Sequence, residues 1–346
     1  MGNYKKVKII GRDNVGWSVD KDRKNMEFFL SRVKNVKITN SYLSADIYFF
    51  VWYSQLLKKR FLPLRVLKNI LKKKKVVAFI TNDIRDHPDV YRQFSSLVNF
   101  WISPNSNISS FLKKKSVPYK QIPFYVSPKK FYKIKKTKKE IAKKAGIDFS
   151  KLNKKIIIGS FQRDSLGKDL SKPKWQKNPE LLIKILKKID NNSLLLLAGP
   201  RRHFVINQCR KWNIPYIFVG NEKCIDRKED DIMINNLPQE KINLLYNLID
   251  LYLVTSRSEG GPKAILEASL SRKLIFSTDV GLARDFLHPD LIYSREKINS
   301  LISSIKKTYK NKSKIEKYQK YNYRKVLNVL DEKKYLKLIT EVINSV

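Results

Sequence analysis

The run Leu248–Ser256 is short, apolar and rich in β-formers. It passes through a glycine loop into a short helix and a second apolar run, reading T-S-R-S-E-G-G-P-K-A-I-L-E-A-S-L-S-R-K-L-I-F-S-T-D-V-G over Thr255–Gly281. A short, mainly apolar, β-rich run of this kind belongs in a parallel sheet covered on both faces. This unit restricts the chain to an α/β architecture, in which the loops beyond the carboxyl ends of the strands bind ligands.

Gly260 and Gly261 permit backbone approaches that a side chain would block, and Pro262 suits a first helical position because it has no amide hydrogen to satisfy. A helix is therefore predicted from Pro262, with Lys263 in its first turn. Its unpaired N–H groups and positive dipole end face the region beyond the strand, a setting that favours phosphate.

Two carboxylates flank this start, Glu259 in the loop and Glu267 in the second turn, with seven residues between them. The helical part alone rises roughly 7–8 Å, so with an extended loop the pair is too separated for the close carboxylates of a retaining glycosidase. Each can instead accept hydrogen bonds from neighbouring hydroxyls, one from a sugar and one from a ribose, with a diphosphate over the helix start between them. The plain alternative is a solvated loop glutamate and an exposed helix glutamate paired at i, i+4 with Lys263.

At these residues the chain resembles the family 4 glycosyltransferases of the GT-B fold, whose second domain carries a Glu-x7-Glu signature in this strand, loop and helix. The resemblance implies two Rossmann-like, doubly wound α/β domains facing a central cleft. It places Glu259 at the donor sugar and Glu267 at the ribose. Two departures stand out: Gly261-Pro262 where Phe-Gly is usual, and Ser271-Arg272-Lys273 in place of a small Cys-Gly-x-Pro turn.

A chain of 346 residues exceeds the size at which single cores stop growing, which favours two domains. We place them at 1–140 on the acceptor side and 141–330 on the nucleotide-sugar side, with 331–346 a helix crossing back to the first. The lysine-rich stretch Lys129–Lys144 supplies the linker, with a helix over Lys138–Ala145 inside it. Lys and Arg number 72 against 31 Asp and Glu, a net charge of +41, which points to an anionic partner. Lysine predominates over the arginine that would read bases, so nucleic acid is disfavoured. No apolar run approaches eighteen residues and Met1–Gly11 lacks a signal-like core, so a cytoplasmic chain is expected. Cys209 and Cys224 have no metal-ligand spacing and are read as reduced.

Along the first domain, strands are predicted at Lys6–Ile10, Val36–Ile38, Ala45–Val51, Val76–Ile80 and Phe100–Ser103. The loop Gly11–Ser18 follows the first strand and makes Gly16 a ligand candidate or a plain turn. Leu57–Lys75 holds nine Lys or Arg and no acid, interleaved with apolar residues. It reads either as a helix with a solvated basic face or as a peripheral contact with an anionic membrane. The polar loop Thr81–Pro88 contains Asp83, an acceptor-binding candidate. It also contains His87, which by the resemblance lies near the transferred sugar, or else caps a helix.

In the second domain, strands are predicted at Lys155–Gly159, Ser193–Gly199, Tyr216–Val219 and Ile232–Asn235. A polar loop runs from the first of these to Lys177-Asn178-Pro179, where a helix begins. By the resemblance, Arg163 and Lys177 reach the donor diphosphate, although the lysine is followed by Asn178 where Gly is usual. Gly199 then meets the nucleotide through its backbone, and Leu237 packs near the base. Arg201 and Arg202 read as a surface pair, and Glu229-Asp230-Asp231 as an exposed acidic turn.

The expectation is a glycosyltransferase using a nucleotide-diphosphate sugar as co-substrate, with retention and with neither a cofactor nor an obligatory metal. It would act on a glycan or lipid-linked acceptor in cell-surface polysaccharide or lipopolysaccharide assembly at the inner membrane face. A nucleotide-sugar epimerase of the same fold and a basic nucleic-acid-binding protein are the alternatives.

Overall fold

The computed structural model describes residues 4–16, 18–57, 72–152, 155–189 and 192–346. The chain divides into two compact units. The first comprises Met1–Tyr125, Glu259–Gly261 and Val329–Val346, and the second Val126–Ser258 and Pro262–Asn328.

In the first unit, six strands form one parallel sheet: β1 (Lys5–Ile10), β2 (Val36–Ile38), β3 (Ile47–Phe50), β4 (Lys75–Phe79), β5 (Phe100–Ser103) and β6 (Tyr119–Gln121). Their order is β2-β1-β3-β4-β5-β6, a doubly wound arrangement that reverses between β1 and β3. Strands β3 and β5 are buried at every residue because helices and loops cover both faces. One face packs through Tyr48, Phe50, Tyr53, Ala78, Phe94 and Trp101. Elsewhere in this unit Phe29, Tyr125 and Tyr335 cluster with ring centroids 4.7–4.9 Å apart, and the buried Tyr335 hydroxyl donates to the Pro123 carbonyl at 2.9 Å. That bond gives the phenol a partner and ties the helix Glu332–Asn344 to the unit.

The second unit holds a second parallel sheet: β7 (Ile156–Ser160), β8 (Ser193–Ala198), β9 (Tyr216–Val219), β10 (Leu251–Val254), β11 (Leu274–Thr278) and β12 (Ile292–Tyr293). The order is β12-β11-β10-β7-β8-β9. Counted from its own first strand this is 3-2-1-4-5-6, the dinucleotide-binding arrangement. The chain builds β8 and β9 on one side of β7, then returns to lay β10 on the other, with Leu251 beside Ile158 and Tyr252 beside Gly159. The point of reversal, between β7 and β10, is where such sheets open a crevice beyond the strand ends.

The helix over Lys138–Ala145 is present and falls in the second unit. It starts with a capping box between Thr137 and Glu140 and ends on Gly146 at φ +70°. The predicted strand at Ile232–Asn235 is instead a turn. Asn235 donates to both the backbone and the carboxylate of Asp231, and this local polar bonding outcompetes a ladder. Strands β6 and β12, three and two residues long, escape a pattern search because so few residues show no period. The basic stretch Leu57–Lys75 lies mostly outside the described residues. Among the described residues no helix is long and apolar enough to cross a membrane.

Candidate functional site

The exits of β7, β10 and β11 are sewn together by short polar side chains. Thr255 and Ser256, both buried, continue β10 beyond its ladder. The Thr255 hydroxyl donates to the Lys177 carbonyl at 3.1 Å, and Thr278 at the end of β11 donates to the Ser256 carbonyl at 2.7 Å. The Arg257 amide donates to the Gln176 carbonyl at 2.8 Å. The loop that leaves β7 is thereby held against the exit of β10, with Lys177 beside Thr255.

The same loop is pinned on its other side, next to Arg163. Asp164 is buried with its carboxylate 3.1 Å from the guanidinium of Arg202. Its Oδ1 also accepts the Ser165 hydroxyl at 3.0 Å and the Val205 amide at 3.3 Å. Arg202 donates in turn to the hydroxyl of Ser160, the last residue of β7, at 2.9 Å. The surface pair expected at Arg201-Arg202 is therefore wrong for Arg202, which is fully buried. Burial raises the carboxyl of Asp164 above the usual range, and the Arg202 charge opposes this. Asp231 is likewise buried, not part of an exposed acidic turn, and it accepts the Arg201 amide at 2.7 Å. Asp230 pairs with the Arg201 side chain at 2.6 Å.

Lys177 closes a short 3-10 turn, and Asn178 follows it at φ +47°. Asn tolerates that left-handed conformation better than other residues with a Cβ, which explains how it fills a place usual for Gly. Gly199, at the end of β8, has φ +88°. At the other departure, Ser271-Arg272-Lys273, Arg272 sits at φ +53° with its guanidinium 4.3 Å from the centre of the Tyr323 ring, and Ser271 is buried, bonded to Asn243 at 3.0 Å.

The helix after the loop runs from Lys263 to Leu270 with Pro262, buried, in the capping position. Pro262 makes no side-chain cap bond, and its carbonyl accepts the Ile265 amide at 2.9 Å, closing the first turn. Glu267 is half-buried and accepts the Tyr246 hydroxyl at 2.9 Å, which removes the reading of an exposed helix glutamate. Lys263 is half-buried in the same helix.

Within the first unit, Gly260 accepts the Asn105 side-chain amide at 2.6 Å. A Cβ on Gly260 would lie 2.4 Å from the Thr81 carbonyl oxygen, so only glycine fits. Glu259 and Gly261, both half-buried, flank it. Asp83 is buried and engaged bidentately by Arg85, at 2.8 and 2.5 Å. His87 is exposed, in the capping position of the helix Pro88–Phe94 without a side-chain cap bond. Gly16, at φ +66°, donates its amide to Asp20 at 2.9 Å within a turn. Leu237 is half-buried in the extended segment before the helix Gln239–Leu248.

The structure thus gathers Arg163, Lys177, Gly199 and Glu267 on strand-exit loops and the following helix of one Rossmann-type sheet. Asp83, His87 and Gly16 lie on strand-exit loops of the other. Sequence reasoning missed Tyr246, Asp164 and Arg202. A tyrosine inside the apolar run L-L-Y-N-L is the one signal that was available, since a buried phenol needs a partner.

A family model described as glycosyl transferases group 1 matches residues 171–325. The sequence finds no match among curated proteins. Among solved structures the chain is similar to Alr3699/HepE from Anabaena in complex with UDP-glucose, at 12% identity, TM-score 0.72 and 99% coverage of each chain. It is also similar to a glycosyltransferase from Rickettsia africae, at 13% identity, TM-score 0.64 and coverage of 100% of this chain and 98% of that one. Sucrose-phosphate synthase from Thermosynechococcus elongatus matches at 11% identity and TM-score 0.67, over 93% of this chain and 77% of that one. The fold is GT-B.

Proposed function

We propose that the protein is a glycosyltransferase that moves a sugar from a nucleotide-diphosphate donor to a glycan or lipid-linked acceptor. The observation that carries this reading is Glu267, fixed by Tyr246 in the helix that follows β10 at the reversal point of the second sheet. The match of residues 171–325 to the glycosyl transferases group 1 model supports it.

In this reading the second unit holds the donor. Glu267 accepts the ribose hydroxyls, and the first turn from Lys263 offers N–H groups to the diphosphate. Leu237 packs on the base and the Gly199 backbone touches the nucleotide. As the bond from the anomeric carbon to the β-phosphate oxygen breaks, its electron pair passes to the phosphate, while an acceptor hydroxyl oxygen bonds the anomeric carbon and its proton passes to the departing phosphate. Arg163 and Lys177 stabilise that growing charge more than they stabilise the ground state. Glu259, with Gly260 and Gly261, contacts the donor sugar. Asp83, His87 and Gly16 of the first unit serve the acceptor and the transferred sugar.

Transfer with retention and without an obligatory metal is part of the proposal, as is a role in cell-surface polysaccharide or lipopolysaccharide assembly. The net charge of +41 supports attraction to an anionic membrane face. Thermal shift with UDP, GDP, ADP and CMP tests the reading. One nucleoside diphosphate should stabilise the protein and lose that effect in Glu267→Ala. At about 100 times Kd the gain is roughly 2.7 kcal/mol. Absence of any nucleotide effect would sink the transferase reading.

A further inference from the structure

Tyr246 lies in the helix Gln239–Leu248, just before β10, with its ring completely buried. The ring meets Phe161 edge-on at 5.0 Å and Phe131 at 6.0 Å, and it tilts against Tyr252 at 5.4 Å. In that apolar setting the hydroxyl must find a polar partner, and it donates to Oε2 of Glu267 at 2.9 Å. Behind it, the Tyr252 hydroxyl accepts the Phe161 amide at 3.1 Å. Tyr252 and Tyr246 thus stand in one buried aromatic cluster, the first anchored to Phe161, two residues before Arg163, and the second to Glu267.

Burial, with the Glu267 carboxylate beside it, pushes the Tyr246 hydroxyl well above the usual phenol range. At neutral pH it is protonated and donates. A glutamate side chain turns about several bonds, and holding one oxygen fixes the direction of the remaining acceptor positions. A carboxylate has about four of these, so the tyrosine bond leaves capacity for further donors. Pre-orientation removes part of the ordering cost that a ligand would otherwise bear.

We propose that Tyr246 is the positioning residue that makes Glu267 selective for ribose, its buried hydroxyl holding the carboxylate where it takes the 2′ and 3′ hydroxyls of a nucleoside diphosphate. This rests on the reading of Glu267 as the ribose ligand. The aromatic cluster supplies the rigidity, and the hydroxyl supplies the direction.

The experiment is calorimetric binding of UDP, ADP and GDP, each against its 2′,3′-dideoxy counterpart, to wild type, Tyr246→Phe, Tyr252→Phe and Glu267→Ala. Wild type should prefer the ribonucleotide. Tyr246→Phe should lose about tenfold of that affinity while its dideoxy affinity stays unchanged, so the ratio falls. Tyr252→Phe, which removes a hydroxyl one step back in the same cluster, should lower the ratio less. Damage to the fold would weaken both nucleotides alike, and that result would overturn the proposal. Selectivity abolished by Glu267→Ala but kept by Tyr246→Phe would overturn it too, while the ribose reading stood. Binding of no nucleotide, or selectivity that survives Glu267→Ala, would remove both.

Discussion

Arg202 and Asp164 form an ion pair inside the second unit, 3.1 Å apart, with side chains 0% and 3% exposed. They are close in distance, yet the facing Nε and Oδ2 atoms fall outside hydrogen-bond alignment. The pair joins the end of β7, through Ser160, to the start of the helix His203–Lys211, through Val205. It holds the loop that carries Arg163.

Breaking such a pair leaves a buried charge uncompensated. Asp164→Asn or Arg202→Met alone should each cost about 3–5 kcal/mol in denaturant unfolding, and the double variant should cost less than the sum. Additive losses would mean that the two charges do not interact.

Gly199 sits at φ +88°, with the Phe161 carbonyl oxygen 3.4 Å from where a Cβ would be. Space is adequate but the conformation is not. Gly199→Ala should therefore destabilise the protein by about 1–2 kcal/mol, read from the shift of its urea midpoint at constant slope. An unchanged midpoint would show that the backbone relaxes there.

If Arg163 and Lys177 meet the charge that grows on the departing phosphate, their loss should appear in turnover. Arg163→Ala should lower kcat about 10²–10³-fold with donor KM nearly unchanged, and Lys177→Ala should act in the same direction. A rise in donor KM at constant kcat would assign these residues to uniform binding instead.

Lys273 donates to the Asn247 carbonyl at 3.1 Å. Burial, reinforced by the charge of Lys138 against the pull of Asp250, lowers its ammonium from 10.5 to about 8. The unfolded chain binds the proton more readily across the window from about 8 to 10.5, so this group makes stability rise with pH there. Other lysines also neutralise in alkali, so the comparison is with Lys273→Met. The gain on going from pH 7.5 to pH 10 should be larger in wild type than in the variant, by thermal unfolding. Parallel curves would refute the shift.

The parallel sheets were legible because fully buried strands such as Leu251–Val254, and Ser193–Ala198 after its first residue, are apolar throughout. The loop and helix around Gly260 and Pro262 were legible for a similar reason, since their backbone needs select residue types locally. The turn at Ile232–Asn235 misled the reading because its apolar residues imitate a strand, while Asp231 and Asn235 close a local bond network.

By itself the sequence determined which segments could be strands and where glycine or asparagine had to bend the chain, since each of those preferences is decided within a few residues. Only the tertiary structure decided that β10 lies against β7, that Arg202 is buried on Asp164 and that Tyr246 holds Glu267. Those pairings join residues far apart in the chain. Whether a charged or phenolic side chain can be buried depends on what the fold brings to meet it.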